Sequence, residues 1–191
     1  MNPALTLELR VESKLDQVER ALGEAALRAG LSAAGNLVEG YAKLNVRARG
    51  LIDTGNLVNS IQTGEPEVSG LSGEIEVGTD VEYAKIHEYG GTIVPKKAKF
   101  LAIPITDAAR RQGPREFPGK LHVVATDTKT SRITMHSAVL ADEAGTPQYA
   151  LVRSVTIPAR PYLRPAIDEH RSAIQGAFAA NVRRAIEGAT R

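Results

Sequence analysis

Four histidines, His87, His122, His136 and His170, are the side chains best suited to proton transfer or metal binding. No two lie four residues apart, the spacing that turns two imidazoles toward one metal on a helix. His122 and His136 could meet only across neighbouring strands. His87 precedes Glu88, a pairing of the kind used in acid–base chemistry. A helix C-terminus also favours a cationic side chain, and that explanation is sufficient for His87. There is no cysteine, which excludes disulfides, thiol nucleophiles and Cys-ligated zinc. The G-x-S-x-G elbow, the G-x-x-x-x-G-K-S/T phosphate loop and H-E-x-x-H are missing. Gly90-Gly91 lacks the further glycine of a dinucleotide loop. These residues point away from an enzyme, and no cofactor or metal is expected.

Charge carries more information. Between Gln62 and Glu88 seven carboxylates, Glu65, Glu67, Glu74, Glu76, Asp80, Glu82 and Glu88, face one lysine, Lys85. Between Gly91 and Val123 seven cations, Lys96, Lys97, Lys99, Arg110, Arg111, Arg115 and Lys120, face Asp107 and Glu116. The total is only +2, which gives little support to non-specific nucleic-acid binding by the whole chain. The basic stretch around 95–120 could still contact phosphates, although Phe100 and Phe117 alone offer stacking surfaces. Acidic and basic patches on one subunit also suit head-to-tail packing into a ring.

The elements that must position these groups follow from periodicity. Leu5, Leu7, Leu9 and Val11 alternate with polar residues and predict a strand. Ser13, with Asp16 in the first turn, caps a predicted helix from about 14 to 48. Its apolar face is read as Leu15, Val18, Leu22, Ala25, Ala29, Ala33, Leu37, Tyr41 and Leu44. Gly23, Gly30, Gly35 and Gly40 weaken that helix and permit close approach of another helix or a sheet. Gly50 to Gly55 ends it, and Leu57, Val58 and Ile61 re-enter the core. A turn-rich stretch spans 64–73, a strand 73–78, and a short helix 83–89 ends at glycine. Residues 100–105 predict a strand whose Pro104 implies an edge or bulge, and 106–120 an exposed loop. Residues 121–125, 134–142 and 149–157 predict a β-meander, with turns at 126–132 and 143–147. Pro158 to Pro165 is an extended joint, because a residue before proline is pushed out of the helical region. Pro165 opens a final helix to about 187, striped with Ile167, Ile174, Phe178, Val182 and Ile186.

The reading is one α+β domain over 1–191. An antiparallel sheet is packed by a long N-terminal helix and a C-terminal helix, and a basic loop and β-meander arm is inserted over 92–156. With no Trp, three Phe and five Tyr, the core must be aliphatic and gains from burial against neighbours. No apolar run approaches the roughly 20 residues of a membrane helix. The first residues lack a basic region followed by an apolar core, so no signal peptide and no membrane contact are expected. The absence of cysteine suits a reducing cytoplasm.

Three phrases carry a resemblance. They are Asp53-Thr54-Gly55-Asn56-Leu57-Val58-Asn59-Ser60-Ile61, then Val77-Gly78-Thr79-Asp80-Val81-Glu82-Tyr83-Ala84-Lys85-Ile86-His87-Glu88-Tyr89-Gly90-Gly91, then Ile157-Pro158-Ala159-Arg160-Pro161-Tyr162-Leu163-Arg164-Pro165-Ala166. In this order they resemble the virion-morphogenesis and tail-completion proteins of phages, kin to the head–tail joining (neck) proteins of long-tailed phages. The resemblance implies a structural virion protein in a homo-oligomeric, six-fold ring that joins or completes the tail at the neck. It implies tail tube or terminator and head connector proteins as partners, and DNA passing through the lumen. Its place is the virion, after assembly in the host cytoplasm. The alternative is a nucleic-acid-binding module acting through 95–120. Thr54, Gly55, Gly78, Asp80, Tyr83, Gly90, Pro158 and Pro161 read as fold-shaping, with Asp80 able to accept from backbone donors. Lys96, Lys97, Lys99, Arg110, Arg111, Arg115, Glu74, Glu76, Glu82, Glu88 and Arg160 read as interface residues. Arg160, between two prolines, could clamp the carboxylate of Glu82 or Glu88.

Overall fold

A computed structural model describes residues 5–12, 19–70, 72–126 and 137–189. The Ser13 cap with Asp16, the turn through 127–132 and His136 lie outside the described residues. The elements in chain order are β1 (Leu5–Glu12), α1 (Glu19–Ala48), α2 (Asn56–Ser60), β2 (Gln62–Thr63), β3 (Glu67–Ser69), β4 (Ser72–Thr79) and α3 (Ala84–Tyr89). They continue with β5 (Gly91–Ile93), β6 (Leu101–Pro104), α4 (Asp107–Arg110), β7 (His122–Thr126), β8 (Ser137–Ala141), β9 (Pro147–Val152), β10 (Val155–Ile157), α5 (Leu163–Asp168) and α6 (Arg171–Ala189). The class is α+β with antiparallel sheets. Contacts divide the chain into two compact units. The first holds the described residues up to Gly90 and from Pro158 onward, and the second is Gly91–Ile157.

In the first unit β4 is the central strand, flanked by β1 on one side and by β2 and β3 on the other. Ile75, Val77 and Thr79 are buried, so the period of two sends Glu74 and Glu76 to the opposite face. Helix α1 covers the buried face, and α5 and α6 also pack on α1. Two glycines permit this. A Cβ on Gly30 would lie 2.6 Å from Val182 and 2.8 Å from Phe178 of α6. A Cβ on Gly35 would lie 2.5 Å from Thr63 and 2.9 Å from Ile75.

The buried residues of α1 are Ala26, Leu27, Leu31, Ala34, Val38, Ala42 and Val46. This corrects the predicted face: Ala25 is exposed, Leu37 and Tyr41 are half-buried, and Leu44 is 55% exposed. The periodicity was right and the phase was wrong, by about one residue. Where α1 is approached most closely, small residues, Gly30, Ala34, Gly35 and Ala42, occupy the buried face beside Leu27, Leu31 and Val38, and Leu37, Tyr41 and Leu44 fall to its flank.

Three further boundaries differ. The stretch 64–73 contains β3 in register with β4, pairing Glu67 with Glu74, where only turns were expected. The final helix is two. Pro165 is the third residue of α5, still inside the first turn, where a missing N–H costs nothing. The chain then bends before α6, with the His170 ring stacked on Tyr41 at 3.5 Å. The predicted stripe holds across the two helices: Ile174 and Val182 of α6 are buried, with Phe178 and Ile186 of α6 and Ile167 of α5 half-buried. Gly78, read as fold-shaping and placed at the end of the predicted strand, lies within β4, opposite Thr6 on one side and Gln62 on the other.

The second unit is a four-stranded sheet in the order β6-β9-β8-β7, beside the two-stranded β10-β5. Strands β7, β8 and β9 form a meander, and β6, carrying Pro104, is an edge. The run expected as one strand over 149–157 breaks between β9 and β10, so that β10 pairs with β5. The expected loop 106–120 includes α4, capped by Thr106 Oγ1, which accepts from Ala109 N–H at 3.2 Å. The core of this unit is small and centres on Tyr149, which is buried. Its hydroxyl donates to the Gln112 carbonyl at 2.9 Å, and Phe117 meets its ring edge-on at 5.9 Å. Burial and the nearby Glu116 raise its pKa.

Candidate functional site

The three phrases, far apart in sequence, converge on one cleft of the first unit. Its volume is about 520 Å³, and it is lined by residues 50–57, Tyr83, His87 and Arg160. The lip formed by 50–57 depends on two left-handed glycines, Gly50 at φ 64° and Gly55 at φ 84°, a conformation that glycine adopts without a Cβ penalty. Gly55 precedes α2, and the Asn56 N–H donates to Thr54 Oγ1 at 3.4 Å. Leu57 and Val58 are thereby buried.

Tyr83 and His87 come from α3 and its N-terminal flank. Their rings meet edge to face at 5.8 Å. The turn before α3 is closed by Thr79 Oγ1, which accepts from Val81 N–H at 3.2 Å; that role had been expected of Asp80. Gly90, at φ 71°, ends α3 as predicted. Arg160 reaches the cleft from the proline joint, and its N–H donates to the His87 carbonyl at 2.7 Å.

Glu88 is where the expectation needs correction. It is only 4% exposed, so it is not a surface interface residue. Its carboxylate accepts three backbone bonds, Tyr162 N–H at 2.7 Å, Leu163 N–H at 2.9 Å and Arg164 N–H at 2.9 Å. These are free donors of the first turn of α5, and a carboxylate is the best acceptor for them. The joint meets Glu88 through its backbone rather than through the Arg160 guanidinium. The other acids expected at an interface, Glu74, Glu76 and Glu82, belong to the first unit with Arg160, and Lys96, Lys97, Lys99, Arg110, Arg111 and Arg115 are exposed on the second. Lys99 lies 5.9 Å from the centre of the Phe100 ring.

His87 is held below the usual imidazole pKa, first by burial and then by the charge of Arg160. A depressed histidine lowers stability in acid, since the unfolded chain takes up a proton that the folded one resists. Stability is therefore expected to fall as pH drops below 6.5, the ordinary value, and to level off below the folded value. Urea unfolding at about pH 7.5 and about pH 5.5 should show a smaller loss for His87→Gln than for the parent chain. Equal losses would remove His87 as the source.

Among the described residues no group of three His, Asp or Glu side chains could hold a metal ion, and no helix is long and apolar enough to cross a membrane. The cleft itself is suited to binding, with one cation, Arg160, one carboxylate, Asp53, an aromatic ring and an apolar wall.

Residues 10–90 match the family model described as "Bacteriophage HK97-gp10, putative tail-component". Over this segment the chain is similar to that phage tail-component family. The matched stretch contains the first two phrases whole up to Gly90; the proline joint with Arg160 lies beyond it. No curated protein and no solved structure matches the chain. The matched segment thus supplies the lip and the α3 wall of the cleft, while the C-terminal part supplies its cation and the helix that Glu88 caps.

Proposed function

We propose that this chain is a structural protein of a phage tail, forming a homo-oligomeric, six-fold ring that joins or completes the tail at the head–tail junction. The family match over residues 10–90 carries the reading. Two further observations support it. The outward face of β4 sets Glu76 opposite Glu8, and like charges directly opposite are unfavourable unless cations approach. The second unit carries such cations, all exposed, and head-to-tail repetition of complementary patches closes a ring. The second unit also leaves Ile103, Ile105, Val123 and Val124 exposed, aliphatic surface of the kind that neighbouring subunits cover. Tail tube or terminator and head connector proteins would be the next partners, with DNA passing the lumen and the 92–156 arm contributing to docking. Mature location would be the virion, after assembly in the host cytoplasm.

Imaging of intact particles with this chain labelled tests the reading, and a labelled ring at the head–tail junction is the expected result. A chain that is monomeric in solution and missing from particles would overturn it.

The cluster of exposed cations favours a second reading, duplex DNA binding through the 95–120 segment. It requires affinity that falls steeply with salt, and a shallower salt slope once Lys96, Lys97 and Lys99 are neutralised.

A further inference from the structure

We infer that the cleft between the 50–57 lip, α3 and Arg160 is a receptor for an extended peptide segment of a partner that carries a carboxylate beside a large apolar side chain. The volume of about 520 Å³ falls within the usual range for ligand sites, roughly 300–1,000 Å³. It admits one large side chain and a short length of backbone.

The recognising groups divide by chemistry. Arg160 is exposed, and its backbone is anchored at the cleft, because prolines 158 and 161 flank it and its N–H is tied to the His87 carbonyl. The backbone held this way fixes where the side chain starts, and the guanidinium fork matches a carboxylate with two parallel bonds. His87 stands beside it and resists protonation, so the cationic wall rests on Arg160. The apolar wall is Leu51, Ile52, Leu57 and Tyr83. Ile52 is 50% and Tyr83 44% exposed, large side chains left half-open at the mouth of a concavity, as an anchoring pocket requires. Asp53 lines the same cleft and serves as acceptor for a backbone N–H of an extended chain. Sequence alone could not show this site, because its walls come from three segments that only the fold brings together.

The test uses the full chain labelled with nitrogen-15 and three small probes: N-acetyl-phenylalanine, its carboxamide, and N-acetyl-lysine amide. The acid is expected to shift the amide resonances of Gly55, Asn56 and His87. The carboxamide should bind about tenfold more weakly, the worth of one charge-assisted pairing. Arg160→Gln should weaken the acid to the level of the carboxamide, and Arg160→Lys should keep part of the difference. Because the acid–amide comparison is made on the unaltered protein, it stands even if a variant folds poorly. Equal binding of acid and carboxamide, tighter binding of the lysine amide, shifts confined to other residues, or no shift at all would each overturn the inference. None of these outcomes bears on whether the chain resides in the tail, which particle imaging decides separately.

Discussion

Replacing Glu88 with alanine is expected to cost the protein about 3–5 kcal/mol, among the largest losses any single side chain here can cause. The carboxylate is buried and accepts from three successive N–H groups at the start of α5. Removing it strands two buried donors, on Tyr162 and Leu163, and one part-buried donor, on Arg164, and each buried donor left unmade costs about 1–3 kcal/mol. The surroundings offer no substitute. Tyr162 is fully buried with its hydroxyl unpartnered, and burial together with the Glu88 charge pushes its ionisation well above the usual tyrosine range. The other tie on this joint, Asn45 Nδ2 donating to the Tyr162 carbonyl at 3.0 Å, satisfies an acceptor and cannot replace Glu88. Glu88→Gln keeps one oxygen but turns an NH₂ toward the same donors, so a loss of about 2 kcal/mol is expected. In a domain of this length, 3–5 kcal/mol corresponds to a fall in Tm of roughly 6–20 °C. Calorimetry on the two variants checks the order, and an alanine variant as stable as the parent would show that the cap is dispensable.

Gly35→Val in α1 is expected to destabilise by about 2–3 kcal/mol, whereas Gly40→Ala in the same helix should stabilise by about 0.5–1 kcal/mol. The contrast isolates packing from helix propensity. Both glycines weaken the helix in the same intrinsic way, but nothing lies within 4 Å of a Cβ built on Gly40. At Gly35 the new atoms meet Thr63 and Ile75. Thr63 cannot swing aside, because its N–H and its hydroxyl both donate to Glu39 Oε2 at 2.8 Å, and Glu39 is itself bridged to Lys43 at 2.6 Å. Ile75 is 1% exposed and has nowhere to go. Urea midpoints of the two variants, measured side by side, should therefore move in opposite directions. A shift of both toward higher stability would mean that α1 and the sheet are further apart than the structure places them.

Most elements were legible in the sequence because their signals are local. Alternation in 73–78 gave β4, the glycine after Tyr89 gave the end of α3, and Pro104 marked an edge strand. Spacing of Ile174, Phe178 and Val182 gave the buried stripe of α6. The failures share a cause, which is dependence on partners distant in the chain. The face of α1 was misphased because hydrophobicity alone favours Leu37 and Leu44 over Ala34 and Ala42, while the two layers pressing on the helix select the smaller residues. Glu88 was read as a surface charge awaiting a guanidinium, since no local signal shows that the donors 74 to 76 residues away belong to a helix start. The cleft was invisible for the same reason, although each of its three walls had been singled out as a phrase.

The pairing of β5 with β10, Gly91 opposite Ile157, has a consequence for the order in which the chain folds. Bringing α6 onto α1 requires closing the long connection between Ala48 and Arg171, and the entropy of closure grows with the logarithm of its length. Once β5 and β10 zip together, the residues between them no longer count as free chain, and the connection is roughly halved, which lowers the closure cost by about 0.6 kcal/mol. A ribbon paired before the helices meet would therefore lower the closure cost of their docking, although none of its residues is in the core they build.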